Sequence, residues 1–164
     1  MELWFTEPHT DTAKFSIKVK QQLFSMQSEF QRIDVFDSEE FGVFLVIDGY
    51  MMAAQKDEFI YHEMIVHVPM AAKPETKNVL VIGAGDGGTV RELCRYCSIE
   101  HIDMVEIDKA VVETSRRYLP FLSCSLDDER VDIHYTDGTK FVKTKKGAYD
   151  LIIVDSTDPF GPGE

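Results

Sequence analysis

Residues 79–92 read VLVIGAGDGGTVRE, and this stretch decides the fold. Four apolar residues, Val79 to Ile82, run directly into Gly83-Ala84-Gly85-Asp86-Gly87-Gly88, and a helix-compatible segment follows. A continuous apolar run bounded by glycine predicts a strand buried on both faces, as in a parallel sheet covered by helices. Gly83, Gly85 and Gly88 fit the spacing G-x-G-x-x-G. Glycine allows a tight turn and close approach of a ligand to the backbone, and the next helix presents unpaired N–H groups. A nucleotide or nucleoside is expected at this turn, although glycine-rich turns also simply close loops.

Working outward, Ile102 to Val105 predicts a second strand. It delivers Glu106 about twenty residues past the glycines, where this class of fold sets a carboxylate on a ribose diol. Asp86, inside the turn, opposes a pyrophosphate, so the expected ligand is cationic. An adenosine carrying a sulfonium and an amine suits Asp86 and Glu106 together.

Toward the N-terminus the pattern changes. Phe15 to Met26, Gln31 to Phe36 and Phe41 to Ile47 are rich in apolar and β-branched residues, with turns at Asp37 to Glu40 and at Asp48-Gly49. Met51 to Gln55 reads as the returning strand. These predict a small antiparallel β-meander domain over residues 1–57 that packs on the main domain and against another subunit, because so small a sheet cannot bury both faces alone. Trp4 and Phe5 suit either an interface or a core. Residues 58–164 form the second predicted domain. It opens with a helix, Glu58 to Ala72, whose Tyr61, Ile65, Val68 and Ala72 fall near helical spacing and which Lys73-Pro74 ends. His62 and His67 on this helix read as structural histidines.

Beyond the glycine turn, strands and helices alternate: helix Thr89 to Tyr96, helix Lys109 to Tyr118 stopped by Pro120, strand Val131 to Tyr135, helix Thr139 to Lys143, and strand Leu151 to Val154. The alternation predicts an α/β, Rossmann-like open parallel sheet. Ligands of such sheets bind beyond the carboxyl ends of the strands, where Asp86, Glu106, Asp137 and Asp155 all fall. A single acid there usually caps a helix; four in successive units point to a cationic ligand. Asp155 and Asp158 lie three apart in a loop stiffened by Pro159, and Gly161-Pro162-Gly163 reads as a mobile cover.

The 164 residues are 44% apolar and 28% charged, which supports a packed core and argues against disorder. A net charge of −12 disfavours nucleic acid and anionic membrane as partners and suits a cationic substrate or simple solubility. No apolar run approaches the ~18 residues of a membrane span, and Met1-Glu2-Leu3-Trp4 does not begin a signal peptide, so a cytoplasmic protein is expected. Cys94, Cys97 and Cys124 cannot all pair, which favours a reducing compartment. The C-x-x-C of Cys94 and Cys97 lacks a second ligand pair for zinc and falls within a predicted helix, so it reads as packing.

Six segments, taken in order, resemble the spermidine synthase (polyamine aminopropyltransferase) family: FQRI from Phe30, LVIDG from Leu45, DEFIYHEM from Asp57, GAGDGG from Gly83, VEID from Val105 and DSTDP from Asp155. The resemblance covers essentially the whole chain; the family often has Gly where Ala84 stands and Glu where Gln55 stands. It implies a Rossmann-like domain of methyltransferase type behind an oligomerising meander. The implied activity is aminopropyl transfer from decarboxylated S-adenosylmethionine to putrescine, giving spermidine and methylthioadenosine. By the same resemblance Gln31, His62, Asp86, Glu106, Asp137 and Gly138 surround the nucleoside. Glu106 takes the ribose hydroxyls, Asp137 the adenine amino group and Asp86 the aminopropyl ammonium. Tyr61, Asp155 and Asp158 hold the diamine, with Asp155 as base.

No metal and no separate cofactor is implied, since decarboxylated S-adenosylmethionine is a co-substrate whose sulfonium is already an activated leaving group. A homodimer or homotetramer is expected. The family continues with further strands past the position of Glu164, so the sheet is expected to be C-terminally incomplete and the chain a fragment. Two rivals stand beside this reading. A methyltransferase using S-adenosylmethionine would share the glycine turn and Glu106 but gain nothing from Asp86; a non-catalytic nucleoside-binding module would need only the fold.

Overall fold

The computed structural model describes residues 2–156, so Asp158, Pro159 and the Gly161-Pro162-Gly163 segment lie outside the described residues. Its strands form two sheets. The first is the antiparallel meander, in order β1 (Leu3–Thr10), β2 (Ala13–Gln27), β3 (Arg32–Ser38), β4 (Gly42–Ile47) and β5 (Tyr50–Ala54). The Asp48-Gly49 turn closes the last hairpin as expected, with φ positive at both residues (50° and 89°) and Ile47 opposite Tyr50. Strand β1 is an addition to the sequence reading. It pairs with β2 from Leu3↔Val19 to Thr10↔Ala13, and it separates the two N-terminal aromatics: Phe5 turns into a core with Ile17, Val19 and Phe44, while Trp4 faces out.

Helix α1 (Glu58–Ala72) has the expected bounds but not the expected face. Its buried stripe is His62, Val66 and Met70, whereas Tyr61 and Val68 are exposed. Apolar residues ring this helix, with Phe59, Ile60 and Met64 also outside, so spacing alone does not distinguish one stripe from the next.

The second sheet is parallel, in order β8-β7-β6-β9. Strand β6 (Asn78–Gly83) leads to α2 (Gly88–Cys94), β7 (His101–Glu106) to α3 (Lys109–Tyr118) and the short α4 (Pro120–Ser123), and β8 (Val131–Tyr135) to α5 (Gly138–Lys143). Strand β9 (Leu151–Asp155) closes the series beside β6. Val79, Leu80 and Val81 are fully buried, as the continuous apolar run requires. Helix α2 ends two residues before Tyr96, and α4 was not foreseen; Pro120 starts it at a position where a missing N–H costs nothing.

The two sheets are joined by a shared core. Ile33, Val35, Leu45, Ile47 and Ala53 of the meander pack with Val111, Leu119 and Leu122 behind α3 and α4. The other meander face builds its own cluster around Phe5 and Phe44. Cys94 is half-buried in the packing of α2, with its thiol pushed up to about 11 by burial first and by Asp128, while Cys97 and Cys124 are exposed. All three are free thiols. Among the described residues no helix is long and apolar enough to cross a membrane.

Candidate active site

The carboxyl ends of the four parallel strands lie in the order β8, β7, β6, β9, and each has an acid at or just past its last residue: Asp137 after β8, Glu106 ending β7, Asp86 in the glycine turn after β6, and Asp155 ending β9. Neighbouring strands are about 4.8 Å apart, so the row spans roughly 14 Å, the reach of an extended nucleoside.

The glycines set how closely these groups approach one another. Gly83 has φ +88°, and a Cβ there would lie 2.0 Å from the Asp155 carbonyl oxygen. A Cβ on Gly85 would meet Glu106 Oε2 at 2.9 Å, and one on Gly88 would overlap the His62 ring at 2.4–2.6 Å. Gly138 is pressed against Ile82 in the same way. The glycine fingerprint therefore brings the protein's own acids and imidazole against the turn. Ala84 shares the left-handed backbone, at φ 64°, where a side chain is strained.

His62 is buried, and its ring faces groups from every side. Nδ1 is 2.7 Å from Glu58 Oε2 and Nε2 is 3.6 Å from Asp86 Oδ1, an ion-pair distance. The Tyr61 ring stands edge-on to it, 5.3 Å between centroids. Burial opposes the imidazolium, but Asp86 and then Glu58 outweigh it and lift the pKa to about 9. Asp86 Oδ1 also accepts the Gly88 N–H at 2.7 Å.

Asp155 receives a hydrogen bond on each oxygen. Tyr61 Oη donates to Oδ1 at 2.8 Å and Thr89 Oγ1 to Oδ2 at 2.6 Å. Burial, and then the Asp86 charge, raise its pKa, and the two hydroxyls and His62 resist that rise. A carboxylate made more basic in this way is suited to holding or accepting a proton.

Glu106 is likewise raised by burial, against hydrogen bonds from backbone N–H groups of Asp108, Ile107 and Gly85. A desolvated carboxylate of this kind gains most from hydroxyl donors that arrive with a ligand. Gln31 reaches this part of the site through Asp108: its amide donates to Asp108 Oδ2 at 3.1 Å, beside Ser28 Oγ at 2.6 Å. Asp108 in turn caps α3 through Ala110 and donates its N–H to Glu106 Oε1. Asp137 caps α5, accepting from Thr139 N at 2.7 Å, and this holds its carboxyl below the usual range.

The structure thus gathers His62, Asp86, Asp155 and Tyr61 into one contact set and Gln31 with Glu106 into a second. Asp137 and Gly138 lie at the end of the strand beyond Glu106. Sequence reasoning missed Glu58, Thr89, Arg91 and Asp108. Glu58 lies one turn before His62, and Asp108 belongs to the VEID segment, so both had a signal; Thr89 and Arg91 had none. Among the described residues two groups have metal-ligand atoms within 4.8 Å of one another: Glu63, His67 and Glu92, and His101, Asp103 and Asp132. Glu92 is already paired with Arg91 and Arg95, and Asp103 with His134 and Tyr149.

Residues 58–164 match the Spermine/spermidine synthase domain and residues 3–55 the Spermidine synthase tetramerisation domain. The chain is 68% identical over 164 residues to a polyamine aminopropyltransferase from Alkaliphilus oremlandii, and 64% to one from Clostridium beijerinckii. Each is matched over 100% of this chain and 58% of its own length. Among solved structures it resembles a spermidine synthase in complex with the transition state analogue AdoDATO, with TM-score 0.94 and 43% identity over 96% of this chain and 54% of that one. The Thermotoga maritima spermidine synthase gives TM-score 0.92 and 42% identity over 94% and 54%. The chain therefore spans a little over half the length of these relatives.

Proposed function

The chain belongs to the spermine/spermidine synthase family, and from that premise we propose that it carries the nucleoside site and part of the amine site for aminopropyl transfer from decarboxylated S-adenosylmethionine to putrescine. The observation that carries the reading is the order of acids along the sheet edge, Asp137, Glu106, Asp86, Asp155. It is the order of adenine, ribose, aminopropyl ammonium and acceptor amine in an extended donor–acceptor pair. Glu106 takes the ribose hydroxyls, Asp137 the adenine amino group and Asp86 the ammonium, with Gln31, His62 and Gly138 completing the nucleoside site. Tyr61, Asp155 and Asp158 hold the diamine.

The chemistry follows from charge. A primary amine with a pKa near ~10 is protonated at neutral pH, so a carboxylate must bind the cation and accept its proton before the nitrogen is a nucleophile. Asp155, half-buried and made more basic by desolvation and then by the Asp86 charge, is that carboxylate. The freed nitrogen attacks the aminopropyl carbon bound to sulfur; the C–S bond breaks and methylthioadenosine leaves as a neutral thioether. Residues 1–57 act as the oligomerisation domain and 58–164 as the catalytic domain of a homodimer or homotetramer.

Calorimetric titration with decarboxylated and intact S-adenosylmethionine tests the reading. The intact form sets a carboxylate beside Asp86, and like charges in a closed site weaken binding. Preference for the decarboxylated donor, lost in Asp86→Asn, is expected; Asn keeps the cap on Gly88 N–H and removes only the charge. Equal or inverted preference favours a methyltransferase instead.

A further inference from the structure

We propose that Glu58 and Arg91 are positioning residues of this site: Arg91 clamps the Glu58 carboxylate, Glu58 takes the Nδ1–H of His62, and the ring is thereby committed to presenting Nε2–H to Asp86. The inference rests on the reading above only in assigning Asp86 to the donor's ammonium.

Arg91 Nη1 donates to Glu58 Oε1 at 2.8 Å and Nη2 to Oε2 at 3.0 Å, a two-pronged contact that holds the carboxylate ionised and oriented. The guanidinium is itself fixed by Glu92 Oε1 at 2.9 Å and the Phe121 carbonyl at 2.9 Å. An ionised carboxylate only accepts, so Nδ1, 2.7 Å from Glu58 Oε2, carries a hydrogen. In a neutral ring Nε2 would then present a lone pair to the Asp86 carboxylate, acceptor against acceptor; protonation of Nε2 turns that contact into attraction. The Gly88 backbone lies against the ring and blocks its movement on that side.

The groups facing His62 are Glu58 and Tyr61 from α1, Asp86 from the turn and Asp155 from β9, with Arg91 of α2 behind Glu58. The chain Arg91, Glu58, His62, Asp86 therefore runs from the shared surface of α1 and α2 to the carboxylate that meets the cation. It fixes that carboxylate before ligand arrives, which lowers the ordering cost of binding. In the donor complex His62 contributes orientation, while Glu58 and Arg91 act only through it.

The test uses the whole 164-residue chain. Nitrogen-15 NMR of the His62 ring is expected to show both nitrogens protonated at pH 7.5 in wild type. In Glu58→Gln, which keeps shape and removes charge, the ring is expected to titrate at least about one unit lower, with donor affinity by calorimetry falling about tenfold. Arg91→Lys, which keeps charge and loses the fork, should fall between. An unprotonated Nδ1 or Nε2 in wild type at pH 7.5 overturns the proposal without any variant having to fold. An unchanged His62 titration in folded Glu58→Gln also overturns it. Failure of wild type to bind the decarboxylated donor counts against the proposed function instead, while the ring-protonation result still decides the roles of Glu58 and Arg91.

Discussion

A methyl group on Gly88 is the sharpest probe of how the glycine turn works. In Gly88→Ala the new Cβ falls 2.4 Å from His62 Cε1, 2.5 Å from Nε2 and 2.6 Å from Nδ1. Carbon contacts settle near about 3.5–4.0 Å, so the ring must retreat by about 1 Å. It has little room to do so, being buried and tied to Glu58. Overpacking of this kind costs about 1–3 kcal/mol. Gly88 is also the first residue of α2, and Ala there returns up to about 1 kcal/mol of helix propensity. Taking the full propensity gain, the net loss is about 0–2 kcal/mol, a fall in Tm of up to roughly 8 °C for a chain of this size. Thermal denaturation by circular dichroism of wild type, Gly88→Ala, His62→Ala and the double variant reads the effect. With the imidazole gone the methyl has space, so Gly88→Ala is expected to raise Tm in the His62→Ala background. The same fall in both backgrounds would refute the claim that Gly88 exists to seat His62.

Ala84→Gly relieves a left-handed residue worth about 1–2 kcal/mol and loses one buried methyl worth about 0.8 kcal/mol; Tm should hold or rise, and a clear drop counts against the strain argument. His62, facing Glu58, Asp86, Asp155 and Tyr61, has a folded-state pKa raised from 6.5 to about 9. Its contribution is full below 6.5 and lost as pH climbs through about 9, so Tm should decline across that window and a flat profile contradicts the assignment. Thr89→Val leaves Asp155 Oδ2 without its 2.6 Å donor in a half-buried setting, costing about 1–2 kcal/mol in urea denaturation, with Thr89→Ser largely restoring it; equal losses for Val and Ser would point to packing rather than the hydroxyl.

Much of this architecture is legible in the sequence because its signals are local. The run Val79 to Ile82, the Asp48-Gly49 hairpin and the helix stop at Lys73-Pro74 each depend on neighbouring residues, and each appears where expected. What the sequence leaves open is decided by partners distant along the chain. The buried face of α1 depends on α2, and apolar residues surround the helix, so the stripe through His62 rather than Tyr61 becomes visible only once the two helices pack. Strand β1 was hidden because Leu3 to Thr10 carries Glu7, Pro8 and His9, and among the described residues its one ladder partner is β2, at the end far from β3's Arg32. Thr89 gave no signal because its hydroxyl is aimed at a residue 66 positions away.

The acids at the strand ends expose a false choice in reading such sequences. Taken singly, each of Asp86 and Asp137 looks like either a helix cap or a ligand group; the structure makes Asp137 the N-cap of α5, while Asp86, one residue before the Gly87 N-cap of α2, takes the N–H of Gly88. Each backbone contact nonetheless uses one oxygen: Asp137 Oδ1 takes both the Thr139 and Lys140 N–H groups, and Asp86 Oδ1 takes that of Gly88. A carboxylate offers two oxygens and about four acceptor sites, so a capped acid keeps capacity for a further donor. The cap also holds the group ionised and fixed in direction, as the lowered pKa of Asp137 shows. For a site that must receive a cation, a carboxylate pinned by backbone N–H groups is better prepared than one on a free side chain, because its ordering is complete before the ligand arrives. Asp108 carries the same principle a step further: one oxygen caps α3, the other draws in Ser28 and Gln31 from the meander, and its N–H orients Glu106. The helix caps Asp108 and Asp137 thus also order part of the row of acids along the sheet edge.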